Sequence, residues 1–251
     1  MWIGSGFPFN AAPLREIETM DAKRGFVPED VKNFSPQALE IMRTASRHVC
    51  YLANEGYDLK QATTFVGNHY LLSERQRLAI MRSVATQVQI ENRQKKQVPM
   101  TALSGREVWI DGFNTIITLE VLLSDSILFS CMDGTIRDLA ALRGTYRLIS
   151  ETEAAIRMMF DFLQEAEVSR VNILLDQPVS NSGRLKTCMA EIGEEYPFAL
   201  DIQILREVDR DLYDKELVIT SDSIILDHCI SWVNLTRECL DRLHVEAKRV
   251  W

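Results

Sequence analysis

The sequence lacks the long apolar runs that membrane-spanning helices require. No stretch of 18 uncharged apolar residues occurs among its 251 residues, so we expect no membrane span. The first residues, MWIGSGFPFNAAPLREIE, also lack a basic region followed by a sustained apolar segment, so we expect no secretory signal.

Cysteine is scarce as well, and the cysteines show no spacing typical of a site. The chain has five, an odd number without a CxxC pair, which argues against a disulfide framework and a structural zinc site. They lie far apart, at Cys50, Cys131, Cys188, Cys229 and Cys239. We therefore expect reduced thiols in a cytoplasmic protein.

The net charge of −8 is unevenly distributed along the chain. Residues 1–104 contain 13 Lys and Arg against 10 Asp and Glu, which leaves 15 basic and 26 acidic residues for the rest. The asymmetry predicts two units with different electrostatic roles. Acidic residues that only solvate the second unit would give the same pattern.

Local composition divides the chain into three parts. Residues 1–34 contain prolines without regular periodicity and predict an irregular arm, whereas residues 35–98 predict a helical domain. In residues 105–251, continuous apolar strands alternate with amphipathic helices, which is typical of a parallel sheet covered on both faces. The predicted fold class is therefore α/β, with a helical N-terminal unit before a mainly parallel sheet flanked by helices.

The helical unit has the outline of a helix-turn-helix. Capping residues Ser35, Asp58 and Ser73 predict three helices, the third running through SERQRLAIMRSVATQVQIENRQ. In a helix-turn-helix, this third helix would contact nucleic-acid phosphates through three arginines, Arg75, Arg77 and Arg82. A plain helical hairpin with solvent-facing arginines is the alternative that we favour.

Aspartates follow the predicted strands of the second unit. They are Asp111 in WIDGFN, Asp133 in SCMDG, Asp176 in ILLDQP and Asp222 in ITSDS. Because parallel strands end at one edge of a sheet, four strands would bring their carboxylates together. Clustered carboxylates repel one another unless a cation neutralises them, and oxygen ligands favour Mg²⁺ or Mn²⁺. Any one of these residues could instead be an ordinary helix N-cap.

Small polar residues accompany these aspartates and predict phosphate binding. The loop after Asp176 is polar and is followed by the N-terminus of a predicted helix, which is suited to bind a phosphate. The loop around Asp222 is also polar and also precedes a predicted helix. The candidates are Asn114, Arg137, Ser180, Asn181, Ser182, Ser221 and Ser223.

The motif MDGTI in SCMDGTIRD resembles the DxDGT start of a haloacid dehalogenase-class phosphatase. Cys131 stands where that class has its attacking aspartate, and a neutral thiol does not replace it. We therefore interpret the segment as a further acidic corner, with Asp133 facing the site and Arg137 or Asp138 in support.

Longer motifs resemble the family described as domain of unknown function 434. They are FVGNHYLLSERQR (65–77), IDGFNTIITLE (110–120), DGTIRD (133–138), LDQPVSNSG (175–183) and TSDS (220–223). The resemblance covers roughly residues 35–235. The second unit also resembles the PIN-like nucleases, and its DGxN signature is similar to their NYN branch. This resemblance implies a PIN-like, Rossmann-like domain over residues 105–251.

The PIN-like resemblance implies a metal-dependent nuclease, a hydrolase that acts mostly on RNA. It assigns Asp111 as the first metal ligand, Asp222 as the ligand of the last motif, and Asp176 as a further ligand or a base that positions water. Asp133 and Asp138 compete for the remaining acidic place. Glu120 lies in the helix that follows Asp111, nine residues or about two and a half turns further on, which is too far to share the ion, although a helix carboxylate often contributes in PIN-like proteins.

Two other functions remain open at this point. A non-catalytic module could bind a nucleotide or an RNA end with the same loops and without a divalent ion, and a phosphohydrolase could act on a small phosphorylated molecule. For the nuclease we expect Mg²⁺ or Mn²⁺ as cofactor and nucleic acid, RNA more than DNA, as partner. No membrane partner is expected, and a homo-oligomer is compatible with the sequence.

Overall fold

The computed structural model describes residues 23–140 and 144–251. Most of the predicted irregular arm, residues 1–22, lies outside these ranges. The rest of the arm contains one short helix, α1 (Asp30–Asn33). No helix in the described ranges is both long and apolar enough to cross a bilayer.

The N-terminal unit is helical, as predicted. Helix α2 (Pro36–Asn54) begins where the Ser35 hydroxyl accepts a hydrogen bond from the Ala38 amide, and α3 (Leu59–His69) begins with the Asp58 carboxylate in the same role. The two helices pack around one apolar cluster that includes Met42, Ala45, Val49, Ala62 and Val66.

The third predicted helix is wrong, because the structure divides it into two. Helix α4 (Glu74–Ser83) ends at Val84, whose backbone is extended, and α5 (Gln87–Lys96) starts afresh at Thr86. Thr86 and Gln89 form a capping box, in which each side chain bonds to the other residue's backbone. The helical periodicity continues through the sequence, but this local capping turns the chain and sends α5 toward the second unit.

A 3-10 helix (Met100–Leu103) leads into the second unit, which alternates strands and helices. In chain order these are β1 (Glu107–Asp111), α6 (Gly112–Leu123), β2 (Leu128–Ser130), β3 (Ile136–Asp138), α7 (Thr152–Glu165), β4 (Arg170–Asp176), α8 (Ser182–Gly193), β5 (Ala199–Leu205), α9 (Val208–Leu212), β6 (Val218–Ile219), α10 (Ser223–His228), β7 (Trp232–Val233) and α11 (Leu235–Leu243).

Five of these strands form one parallel sheet in the order β5-β4-β1-β6-β7. Alternate residues of the strands belong to two different apolar clusters: Ile110 and Ile173 lie on one face, and Val218 and Trp232 on the other. The first face is covered by α6, α7, α8 and α11, and the second by α9 and α10. The predicted α/β class with a mainly parallel sheet flanked by helices is confirmed.

The strand predicted through SILFSCMDG does not join this sheet, so that expectation is wrong. Strands β2 and β3 form a separate antiparallel hairpin. Phe129 in β2 and Leu139 just after β3 pack into the apolar cluster of the helical unit. The hairpin therefore links the two units, which the continuous apolar run could not reveal.

The order in which successive strands are added to the sheet reverses at β1, although all the strands run parallel. From β1 the chain moves outward to β4 and β5, and it then returns to the other side of β1 for β6 and β7. In open parallel sheets, ligands bind outside the carboxyl ends of the strands at such a switch point. A ligand-binding site is therefore expected at the residues that follow β1 and β6.

Candidate carboxylate site and adjoining cleft

Asp111 ends β1 and lies almost wholly inside the protein, with 6% of its surface exposed. The Thr220 hydroxyl donates a hydrogen bond of 2.9 Å to its Oδ2 atom. Gly112 follows because α6 begins very close to β4: a Cβ atom there would lie 2.9 Å from the carbonyl oxygen of Leu174. The Asp-Gly pair thus places a carboxylate at the sheet edge and lets the helix start beside it.

The loop after β6 is tied to the start of α6. The Asn114 Oδ1 atom accepts hydrogen bonds from the Ser221 amide (2.8 Å) and hydroxyl (2.9 Å). The two predicted phosphate contacts thus bind each other, and the Nδ2 donor of Asn114 has no partner within the described residues. This link holds the sequences DGFN and TSDS side by side.

Asp222 is the N-cap of α10. Its Oδ1 atom accepts from the amides of Ile224 (2.7 Å) and Ile225 (3.3 Å). One oxygen of the carboxylate therefore has the structural role of an ordinary cap. The other oxygen has no hydrogen-bond partner among the described side chains and backbone groups.

Asp176 ends β4, and an aspartate that the sequence reading missed lies near it. Burial and then repulsion from Asp209 raise the pKa of Asp176. Burial and repulsion from Asp222 likewise raise the pKa of Asp209, which lies in α9. No strand-end pattern marks Asp209; only its place in a short helix after β5 brings it to this edge.

We name four aspartates at this edge the edge carboxylates: Asp111, Asp176, Asp209 and Asp222. Mutual repulsion acts among their negative charges. Burial is the largest cause that raises the pKa of Asp111, and repulsion from Asp222 is the next. Asp176 and Asp209 add to the repulsion, and the pKa reaches about 8 although the Thr220 hydroxyl lowers it. Within residues 23–140 and 144–251, none of the four forms an ion pair with a basic side chain.

The donor set fits a hard divalent cation, although it is not a closed cage. In the part of the chain that the structure describes, no three Asp, Glu, His or Cys side chains are arranged to hold a metal ion together. Mg²⁺ commonly takes only one or two carboxylates and completes its shell with water and substrate phosphates. Asp111 and Asp222, each with one free oxygen, match that requirement.

Asp133 lies elsewhere, in the turn between β2 and β3, and it is fully buried. Its Oδ2 atom accepts hydrogen bonds of 2.7 Å from both Arg93 and Arg137. Burial alone would raise its pKa, but the Arg137 charge, the Thr135 hydroxyl and the Arg93 charge outweigh burial and lower it. The structure thus places this predicted metal ligand in an internal ion-pair network and not at the sheet edge.

The other acidic candidates also have internal partners. Asp138 accepts from the Thr118 hydroxyl (2.8 Å) and the Ala140 amide (2.7 Å). Glu120 is fully buried and accepts from Arg24 (2.8 Å) and the Tyr146 hydroxyl (2.7 Å).

The SNSG loop is held by the backbone of Tyr146. The Ser180 hydroxyl accepts from the Tyr146 amide at 3.1 Å, and the Asn181 Nδ2 atom donates to the Tyr146 carbonyl at 2.6 Å. Asn181 adopts a left-handed backbone with φ of 62° just before α8, and Ser182 is the first residue of that helix. Of these three predicted phosphate contacts, two are therefore used to shape the loop.

The three arginines of the predicted recognition helix differ in their contacts. Arg75 forms an ion pair with Asp30 (2.8 Å) and donates to two backbone carbonyls, whereas Arg77 donates to the Leu72 carbonyl and to the Asn68 side chain. Arg82 donates to the Asp138 carbonyl at 2.7 Å, and its side chain remains 33% exposed. Only Arg82 lines a cleft beside the edge carboxylates.

This cleft lies between the two units and has a volume of about 310 Å³. Its helical-unit wall comes from α3, α4 and α5, and its other wall comes from α6, β3 and the β6–α10 turn. The lining residues are Leu59, Met81, Arg82, Val84, Gln89, Arg93, Asn114, Arg137, Ser221, Asp222 and Ser223. Asp222 belongs both to the cleft and to the edge carboxylates, so the two features are continuous.

Comparisons with known proteins match both units. The family model described as "Domain of unknown function (DUF5616)" matches residues 100–238, and the model described as "Protein of unknown function (DUF434)" matches residues 41–96. The uncharacterized protein MJ0935 of Methanocaldococcus jannaschii is 33% identical over 176 residues, which are 70% of this chain and 84% of that protein. No solved structure matches the chain significantly. The expected resemblance to the second family is confirmed for the helical unit, while the α/β unit matches a model of its own.

Proposed function

The chain belongs to the DUF5616 family, and we propose that it is a divalent-metal-dependent nuclease that hydrolyses phosphodiester bonds, in RNA more than in DNA. As part of this proposal we assign its α/β unit to the PIN-like class. IDGFN, which spans the end of β1 and the start of α6, and TSDS directly after β6 support the assignment, since both flank the switch point of the sheet.

One observation carries the proposal. Four carboxylates lie at the carboxyl edge of a parallel sheet, none of them forms an ion pair with a basic side chain among the described residues, and one of them has a pKa of about 8. At neutral pH such a group remains the neutral acid unless another interaction compensates its charge, and a bound cation would do so by removing the repulsion.

Asp111 and Asp222 are the residues that would hold the cation, with Asp176 as a third, half-buried carboxylate at the same edge. When bound there, a divalent ion would supply positive charge against the substrate phosphate and make a water molecule more acidic. The Thr220 hydroxyl holds Asp111 in place, and the Asn114–Ser221 link fixes the loop that carries Asp222.

Asp176 is suited to accept the proton of the attacking water. Its pKa is raised because the side chain is partly buried and is repelled by Asp209, so its carboxylate is a stronger base than an exposed one. Asp209 thus supports the reaction through Asp176, in the role of a positioning residue.

A cleavage assay tests the proposal. Labelled single-stranded RNA, structured RNA and DNA are incubated with the full chain in Mg²⁺, Mn²⁺ or EDTA, with Asp111→Asn and Asp222→Asn as variants. Even indirect partners of a metal site are worth about 10- to 100-fold, so we expect each variant to lose at least about 100-fold in rate. Asp241→Asn, which removes an exposed carboxylate from α11, is the matched control and should cleave normally.

Two results would count against a nuclease. One is cleavage that continues unchanged in EDTA or in the Asp111→Asn variant. The other is a wild-type chain that neither cleaves any of the substrates nor binds Mn²⁺ by calorimetry.

A further inference from the structure

The cleft between the two units contains hydrogen-bond donors that the proposed chemistry does not use. Arg82 is more exposed than Arg93 and Arg137, the other arginines that line the cleft. Its Nη1 atom is held by the Asp138 carbonyl at 2.7 Å and lies 3.6 Å from the Asp138 carboxylate. Its Nε and Nη2 atoms have no partner within the described residues, although the side chain lines the cleft.

A second guanidinium supports the floor of the cleft. Arg137 is only 7% exposed, and each of its three nitrogens donates at 2.7 Å, to the Ser221 carbonyl, the Arg82 carbonyl and Asp133. Each terminal nitrogen carries two hydrogens, so each keeps one that these bonds do not use. Arg137 thus fixes the backbone of both walls, including that of Arg82.

The opposite wall contributes a neutral donor. The Oδ1 atom of Asn114 accepts two hydrogen bonds from Ser221, which leaves the Nδ2 group as the free donor. Asn114, Arg82 and Arg137 all line the same cavity, and Asp222 is the only carboxylate among its lining residues. Such converging donors suit an anion with several oxygens, above all a phosphate.

Part of the helical-unit wall, beside Arg82, Gln89 and Arg93, is apolar. Leu59, Met81 and Val84 line it from three successive segments of the helical unit. A ligand that fills the cleft therefore has a charged end and a flat or apolar end. The volume of about 310 Å³ is at the lower limit of small-molecule sites, which is enough for one nucleotide but not for a paired duplex.

We propose that this cleft binds one unpaired nucleotide of the substrate, with Arg82 on its phosphate and the apolar wall of the helical unit against its base. The inference rests on the proposed nuclease function and deepens it, because it identifies single-stranded nucleic acid as the substrate class. In this arrangement the helical unit forms half of the substrate site. Arg75 and Arg77 hold internal contacts and take no part.

Binding measurements in EDTA test the pocket separately from cleavage. The probes are adenosine 5′-monophosphate, adenosine, a labelled ten-nucleotide single-stranded RNA, and the same RNA in a blunt duplex. The proteins are the full-length wild type, Arg82→Met, Arg82→Lys and Arg43→Met. Arg43 is exposed on α2 of the same unit, so Arg43→Met removes an equal charge outside the cleft. Thermal unfolding verifies that each variant is folded.

We expect the wild type to bind the monophosphate at least tenfold more tightly than adenosine, because hydrogen bonds to a charged phosphate are the stronger ones. The monophosphate should compete with the single strand, and the duplex should bind more weakly than either. Arg82→Met should weaken binding of the monophosphate and the single strand at least tenfold, Arg82→Lys should weaken it less, and Arg43→Met should not change it.

The inference is overturned if Arg82→Met binds these probes as tightly as Arg43→Met does, or if the duplex binds as tightly as the single strand. If binding depends on Arg82 but no metal condition gives cleavage, the nucleotide pocket is supported and the nuclease function is contradicted. If cleavage depends on metal but binding does not depend on Arg82, the nuclease function is supported and the pocket is contradicted.

Discussion

Asp133 and Asp111 are both buried, and they differ in what surrounds the carboxylate. Asp133 in the β2–β3 turn lies between two guanidinium groups, each 2.7 Å away, and its pKa is lowered. Asp111 at the end of β1 has one hydroxyl donor and three acidic neighbours, and its pKa is about 8. Both residues were candidates for the same metal site.

The difference separates a structural carboxylate from one available for a ligand. Removing one partner of a buried ion pair strongly destabilises the folded protein, because the other charge is left uncompensated. A buried carboxylate without a counter-charge destabilises the fold as soon as it ionises, which makes it the better candidate to bind a cation. The two sites are joined by Arg137, which contacts Asp133 and the carbonyl of Ser221 next to Asp222.

The largest effect should come from Asp133→Asn. It leaves Arg93 and Arg137 buried without their shared carboxylate, so we expect the free energy of unfolding to fall by about 3–5 kcal/mol. Denaturant unfolding at neutral pH measures this. The exposed Asp241→Asn variant should stay within about 0.5 kcal/mol of the wild type. A loss below about 1 kcal/mol for Asp133→Asn would show that the network is not structural.

Asp111→Asn should behave in the opposite way. In the wild type the protonated Asp111 favours the fold below its unfolded pKa of 3.8, and this contribution is lost as the pH rises toward its folded pKa of about 8. Asparagine cannot ionise, so we expect the variant to gain about 2 kcal/mol over the wild type between pH 6 and about pH 7.5 in EDTA, which is about 1.4 kcal/mol per pH unit. Denaturant unfolding at both pH values gives the difference, and a variant that gains nothing over this range would contradict the unpaired carboxylate.

The smallest change in stability should be that of Asp222→Asn. Asparagine caps helices about as well as aspartate, so we expect the free energy of unfolding to change by less than about 0.5 kcal/mol. The same variant should lose most of its cleavage rate, because the free oxygen of Asp222 becomes an amide group. Thermal unfolding and the cleavage assay on one preparation compare the two effects. A large loss of stability would mean that Asp222 acts mainly as a structural cap.

Some features followed from the sequence because they depend on neighbouring residues. The caps Ser35, Asp58 and Ser73 start helices where expected, since each accepts a hydrogen bond from an amide three residues ahead. The strands ending at Asp111 and Asp176 are also as expected, because continuous apolar runs are typical of buried parallel strands.

Other features depended on residues far apart in the chain. The strand before Asp133 is as apolar as the strands of the sheet, yet Phe129 packs with the helical unit and takes the hairpin away from the sheet. The DGTI motif gave no sign that Arg93, 40 residues earlier, binds Asp133. The break between α4 and α5 places Arg93 beside Asp133. The sequence did not predict this break, because the helical periodicity continues through it.

The sequence by itself determined the α/β class, the helical first unit and the position of three aspartates at strand ends, because side-chain periodicity and helix capping act over a few residues. Only the tertiary structure decided which aspartates have a counter-charge, that Asp209 joins the edge carboxylates, and that Arg82 faces the cleft while Arg75 does not. Coulombic interactions and burial depend on distance in space, and the fold alone sets that distance for residues far apart in the chain.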